Sequence, residues 1–221
     1  MTYKLRIIYV VQRREALAAL LEAASEQGGY VNARQALRLG LARDDIARLV
    51  QSDDLRRVRR GVFGMRHADD RREDEITAWL YFERDRLPWE RNGASNAVLS
   101  NASAAALHGL GTIVPALPSV TLTAGRPPRI DDIVVHSVPL RRQDWTWLDL
   151  ATVRLPVTSP SRTIVDLIID GEETSYVRRA IDESLRRGTA DDVSIVDAAR
   201  HRKGPSRALE QRVESLLKRA A

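Results

Sequence analysis

The chain has 221 residues, 43% hydrophobic and 29% charged, which is enough apolar material for one large or two small cores. It contains no cysteine, so disulfide staples, thiolate zinc sites and a cysteine nucleophile are excluded, and a reducing cytosol fits that absence. The formal net charge is +5, but residues 1–67 hold 13 basic and 7 acidic residues while the rest hold 22 and 23, so the positive excess belongs to one end.

Lys4, Arg6, Arg13 and Arg14 interrupt the apolar opening around Leu5 to Val11, and no small-residue cleavage pattern follows, so no signal peptide is expected. No run of about 20 apolar residues suggests a membrane span. From residue 12 to 27, Leu17, Leu20, Leu21 and Ala24 recur at helical spacing, and Gly28 and Gly29 stop the helix. Tyr30 and Val31 read as a short extended link. Asn32 is an N-cap residue with Gln35 as its capping-box partner, so a short helix is expected over Ala33 to Leu39, ended by Gly40.

A third helix follows, with Asp44 and Asp45 at its N-terminus and Ile46, Leu49 and Val50 as its buried stripe. Its other face carries Arg43, Ala47, Arg48 and Gln51. Leu55 to Met65 then reads as two short strands around a glycine-containing turn, with Arg56, Arg57, Arg59 and Arg60 among its eleven residues. This order is the layout of a winged helix-turn-helix. The third helix suits the major groove, the hairpin suits the backbone or the minor groove, and arginine suits both because its fork bridges two acceptors.

A charged helix over Arg71 to Leu87, ended by Pro88, is expected to lead into a second domain. There a short alanine-rich helix begins near Asn101 or Ser103 and stops at Gly109 and Gly111. Strands are expected at Ser119 to Ala124, Ile133 to Val138 and Ala151 to Leu155. Helices are expected at Ser161 to Ile169, Glu172 to Arg187, Asp191 to Arg202 and, after Gly204-Pro205, Ser206 to Arg219. The expected architecture is α+β: a winged helix-turn-helix over residues 1–70, then a C-terminal domain over 71–221 with a small sheet and several helices.

The chain resembles the AbiEi antitoxins of type IV toxin-antitoxin systems. In the first domain the resemblance rests on Gly28-Gly29-Tyr30-Val31 through Ala36, Gly40-Leu41, Ile46, Leu49, Leu55, Arg57-Val58 and Arg60-Gly61-Val62-Phe63. In the second it rests on Leu99 to Leu110, Val120 to Thr123, Val135-His136 and Val157 to Leu167. It implies a cytoplasmic repressor that binds operator repeats in double-stranded DNA upstream of its own operon and counters a nucleotidyltransferase-like toxin, with no enzymatic activity of its own. With no heptad zipper in the chain, monomer and weak dimer both remain open.

The candidate DNA contacts are Arg43, Arg48 and Gln51 on the third helix and Arg56, Arg57, Arg59 and Arg60 on the wing. The bland alternative is a solvated hairpin paired to Asp53 and Asp54, with Arg48 paired to Asp44 or Asp45. A regular strand puts Arg57 and Arg59 on one face and Arg56 and Val58 on the other. His108 and His136 lack metal-ligand spacing, so no metal or other cofactor is expected, and both read as histidines satisfied within the fold. Thr163 and Asp166 read as braces of the helix they begin. Trp145 and Trp147 point to one side if extended, as a partner patch or as core.

The rival readings are a nuclease and a ligand-responsive repressor without a toxin. No acidic residue stands two positions before Lys4, Lys203 or Lys218, the arrangement such nucleases use to hold a metal and its water, and there is no phosphate-binding glycine loop.

Overall fold

Asn32 organises the beginning of the fold. Its side chain accepts hydrogen bonds from the backbone N–H groups of Arg34 and Gln35, both at 3.0 Å, while the Gln35 side-chain oxygen accepts from the Asn32 N–H at 3.0 Å. This reciprocal cap starts α2 (Ala33–Arg38). Before it stand α1 (Thr2–Ser25) and β1 (Tyr30–Asn32); after it come α3 (Arg43–Gln51), β2 (Leu55–Arg59) and β3 (Val62–Met65). The computed structural model describes residues 2–68, 70–83, 86–91, 93, 95–202 and 207–218, with side chains from Gln12 onward. The positions expected to form the Gly204-Pro205 break, and the two ends of the last expected helix, lie outside the described residues.

Two expectations for this region change. The first helix begins at Thr2, ten residues before its expected start, because no glycine or proline breaks the chain before Gly28. Tyr30 and Val31 belong to a strand, not a link: β1 pairs antiparallel with β3, Val31 opposite Phe63, in a sheet of order β1-β3-β2. Ala16, Leu20, Ala24, Val31, Ala36, Leu41, Ile46, Leu55 and Phe63 form the core between this sheet and the first three helices.

The chain divides into two units, Met1–Ala94 with Asp149–Arg154, and Ser95–Leu148 with Leu155–Ala221. The first thus runs past residue 70, because α4 (Glu73–Glu83) packs on all three strands β1, β2 and β3. Ile76, Trp79 and Leu80 of α4 are buried, and the Asn32 side-chain amide donates to the Leu80 carbonyl at 3.2 Å. Behind α4 lies a buried polar lock. Gln27 donates to the Tyr30 carbonyl at 2.8 Å, Gln35 donates to Gln27 at 2.9 Å and to the Arg86 carbonyl at 2.8 Å, and Arg91 stacks 4.4 Å from the Trp79 ring centroid. Burial pulls the Arg91 guanidinium down to about 10, against the opposing effect of Glu83.

The second unit contains β4 (Ala97–Leu99), α5 (Asn101–His108), β5 (Ser119–Leu122), β6 (Val134–His136), β7 (Trp145–Asp149), β8 (Arg154–Thr158), α6 (Pro160–Asp170), α7 (Thr174–Arg187), α8 (Asp192–His201) and α9 (Arg207–Leu217). The strands form one sheet, β6-β5-β4-β8-β7, antiparallel between β4 and β5 and parallel for β4 with β8 and β5 with β6. α6 is buried along Ser161 to Ile168 and shares its core with α5, α7, α8 and α9.

The fold is α+β, as expected from sequence, and seven of the expected second-unit elements, α5, β5, β6, α6, α7, α8 and α9, recur within a few residues. Two strands were not anticipated, β4 and β7, and the strand expected at Ala151 to Leu155 runs instead from Arg154 to Thr158. Among the described residues no helix is long and apolar enough to cross a membrane.

Candidate nucleic-acid interface

The helix α3 turns Ile46 into the core and leaves Arg43, Asp44, Ala47, Arg48 and Gln51 exposed. Its buried carboxylate, Asp45, is a hub at 3% exposure. One oxygen accepts from the Ala42 N–H at 3.0 Å; the other lies 3.1 Å from Arg13 Nε and 3.2 Å from Arg48 Nη1. Arg48 is therefore tethered along the helix flank, an anticipated pairing. Arg43 and Gln51 make no ion pair or side-chain hydrogen bond with the described residues.

Wing geometry turns on one irregularity. Leu55 pairs with Met65, Arg56 with Gly64 and Arg57 with Phe63, but Arg59 then pairs with Val62, so a β-bulge at Val58 absorbs one residue. Arg57 stands with Leu55 and Phe63 on the sheet face that packs towards α3, its guanidinium 5.7 Å from the Phe63 ring centroid. Arg56 stands on the opposite face. There the Tyr30 ring lies so close over Gly64 that a Cβ at that position would meet it at 3.0 Å.

The bulge sends Arg59 to that second face as well, which corrects the regular-strand expectation that Arg57 and Arg59 share a face. An extra residue in one strand shifts every later side chain to the other side of the sheet.

On that face α4 supplies the counter-charges. Both terminal nitrogens of Arg56 reach the Glu73 carboxylate, Nη1 at 3.2 Å, and the Tyr30 hydroxyl donates to the same carboxylate at 3.0 Å. The Arg56 hydrogen bond holds Glu73 below the usual carboxylate range, although partial burial opposes it. Burial raises the Tyr30 hydroxyl above its ordinary value, and its hydrogen bond to Glu73 adds to the shift. Arg59, 8% exposed at its side chain, donates from Nε to Thr77 Oγ1 at 3.5 Å and lies 3.9 Å from Asp74.

Arg60 is exposed at the turn before Gly61, whose φ of +72° is a conformation glycine adopts cheaply. Of the seven residues singled out from sequence, Arg43, Arg48, Gln51 and Arg57 share the α3 side of the sheet and Arg60 stands at the wing turn. Arg56 and Arg59 stand against α4. Their partners are Glu73, Asp74 and Thr77, not Asp53 and Asp54.

Residues 18–65 match the family described as transcriptional regulator, AbiEi antitoxin. This segment is similar to the AbiEi antitoxins. It spans the end of α1, the whole helix-turn-helix and the wing, and so contains every residue of the candidate interface but not the α4 carboxylates behind it. Over a longer stretch the fold is similar to the crystal structure of the RV2827C protein from Mycobacterium tuberculosis, with a TM-score of 0.61 and 15% identity, covering 93% of this chain and 77% of that one. No curated protein matches the chain.

Outside this AbiEi-like segment, the second unit uses its charge internally. Arg162, fully buried on α6, donates to Asp166 at 2.9 Å and to Asp144 at 3.2 Å; Asp166 also accepts from Arg202 at 2.8 Å, and Asp144 from Arg141 at 2.8 Å. Sequence reasoning found Asp166 as a brace but passed over Arg162, whose signal was its position four residues before Asp166 in an otherwise apolar helix.

Thr163 bonds to Thr158 at 2.8 Å, and His108 Nε2 donates to the Thr158 carbonyl at 2.7 Å. Burial lowers the His108 pKa, with that hydrogen bond opposing. Trp145 and Trp147 meet edge-to-face with centroids 6.1 Å apart on β7, half-buried, with Arg142 stacked 5.7 Å from Trp145. Among the described residues no three His, Asp or Glu side chains are grouped to hold a metal ion.

Proposed function

We propose that the chain is a cytoplasmic transcriptional repressor that binds operator repeats in double-stranded DNA through its first unit and acts as the antitoxin of a nucleotidyltransferase-like toxin. The observation that carries the DNA reading is the sorting of arginines across the wing sheet. Arg57 stands on the same side as the exposed face of α3, its charge not neutralised by a carboxylate of the described residues, while the opposite face is closed by α4. Arg43, Arg48, Gln51, Arg57 and Arg60 are the DNA contacts on this reading; Arg56 and Arg59 brace the wing from behind.

A phosphate-contacting arginine releases condensed counterions, so affinity should fall with salt by about 0.9 in log–log slope per phosphate neutralised. The test is binding of the full chain to the DNA upstream of its own reading frame, titrated across salt. Steep salt dependence and preference over unrelated duplex support the proposal, and no binding at low salt overturns it. The antitoxin half is tested by co-expression with the product of any adjacent nucleotidyltransferase-like gene: growth restored by this chain supports it, and unrelieved toxicity overturns it.

A further inference from the structure

Resting on the reading that the first unit grips duplex DNA, we propose that α3 selects a short element with a G·C pair beneath its first turn and an A·T pair beneath its last. The helix has nine residues. At about 1.5 Å per residue, Arg43 and Gln51 are separated by roughly 12 Å along the axis, which covers three to four base pairs at about 3.4 Å each.

The exposed residues are chemically graded along that length. Arg43, in the first turn and without a carboxylate partner among the described residues, matches the paired acceptors of guanine. Asp44 beside it has no place against a phosphate, because like charges repel, but it accepts from the exocyclic amine of cytosine. Ala47, one turn on, offers only a methyl group, the right surface for the thymine methyl. Gln51, in the last turn, pairs a donor with an acceptor and matches adenine.

Arg48 differs from these. Asp45 holds its guanidinium at 3.2 Å along the helix flank and shares its charge with Arg13, which suits a fixed phosphate contact and not a base contact. The helix therefore carries one positioned clamp and a separate reading stripe.

The deciding experiment selects duplexes from a randomised pool with the full chain and with Arg43→Ala, Gln51→Ala and Arg48→Ala, each first matched to the parent in thermal melting. Preference at the G·C position should fall about tenfold or more in Arg43→Ala, and preference at the A·T position likewise in Gln51→Ala. Arg48→Ala should weaken all sequences alike and keep the parent motif. An unchanged motif in Arg43→Ala and Gln51→Ala, or an altered one in Arg48→Ala, overturns this inference. So does a parent chain that binds duplex without selecting any motif, although the DNA reading then stands; a chain that binds no duplex overturns that reading itself.

Discussion

Arginine serves opposite ends in the two units. In the first, Arg43, Arg57 and Arg60 are exposed and unpaired by carboxylates among the described residues, on or beside a helix-turn-helix. In the second, Arg162 is buried between Asp144 and Asp166, and Arg202, the residue after α8, reaches Asp166. Arg56 and Arg59 are intermediate cases inside the first unit: they belong to the same basic run as Arg57 but are turned to the α4 carboxylates by pleat and bulge. Arg48 stands between these extremes, exposed on α3 and paired to an Asp45 carboxylate that it shares with Arg13.

The largest effect is expected where that internal use is complete. Asp166→Ala leaves Arg162 and Arg202 without their shared carboxylate in a site where Asp166 is 1% exposed, and should cost ~3–5 kcal/mol in denaturant unfolding. A loss below about 1 kcal/mol would show the cluster to be less buried in solution than its geometry implies.

In the first unit, Trp79→Ala should cost a similar ~3–5 kcal/mol, because the indole is fully buried and carries the Arg91 guanidinium on its face. A fragment ending at Asp70 should for the same reason lack cooperative thermal unfolding. If that fragment melts cooperatively and still binds DNA, α4 is dispensable and the bracing role of its carboxylates is wrong.

Arg57→Ala and Arg59→Ala sharpen the contrast within the wing. The first should reduce the salt slope of DNA binding by about 0.9 with little change in melting temperature. The second should lower the melting temperature and leave the slope unchanged. Exchange of these two outcomes would place the DNA on the α4 side.

The smallest effect is a pH dependence. His108 has a folded pKa below its unfolded value of about 6.5, so the unfolded state binds the proton first. Its contribution is whole above pH ~6.5 and declines as pH falls towards the folded pKa. His108→Gln should remove that part of the acid sensitivity in melting curves recorded from pH 7.5 to 5.5; an unchanged pH profile would show that the histidine protonates without penalty in the folded state.

Local physics was legible in the chain. The Asn32–Gln35 cap, the glycine after α2, the apolar stripe of α3, the arginine hairpin and the helical run beyond Pro160 all rest on contacts between residues within a few positions of each other. Five of the seven candidate residues, Arg43, Arg48, Gln51, Arg57 and Arg60, could be grouped from sequence for that reason, since α3 and the wing are each short and continuous, whereas Arg56 and Arg59 are turned to α4.

Partners distant along the chain were decided only by tertiary structure. Arg56 meets Glu73 seventeen residues later, Arg162 meets Asp144 eighteen residues earlier, β4 is a strand because β5 and β8 flank it, and the bulge at Val58 is defined only against β3. Side-chain spacing encodes which face of a helix or strand is apolar. It does not encode which carboxylate waits across the sheet, and an arginine written in sequence looks the same whether it will face solvent, a phosphate or a buried aspartate.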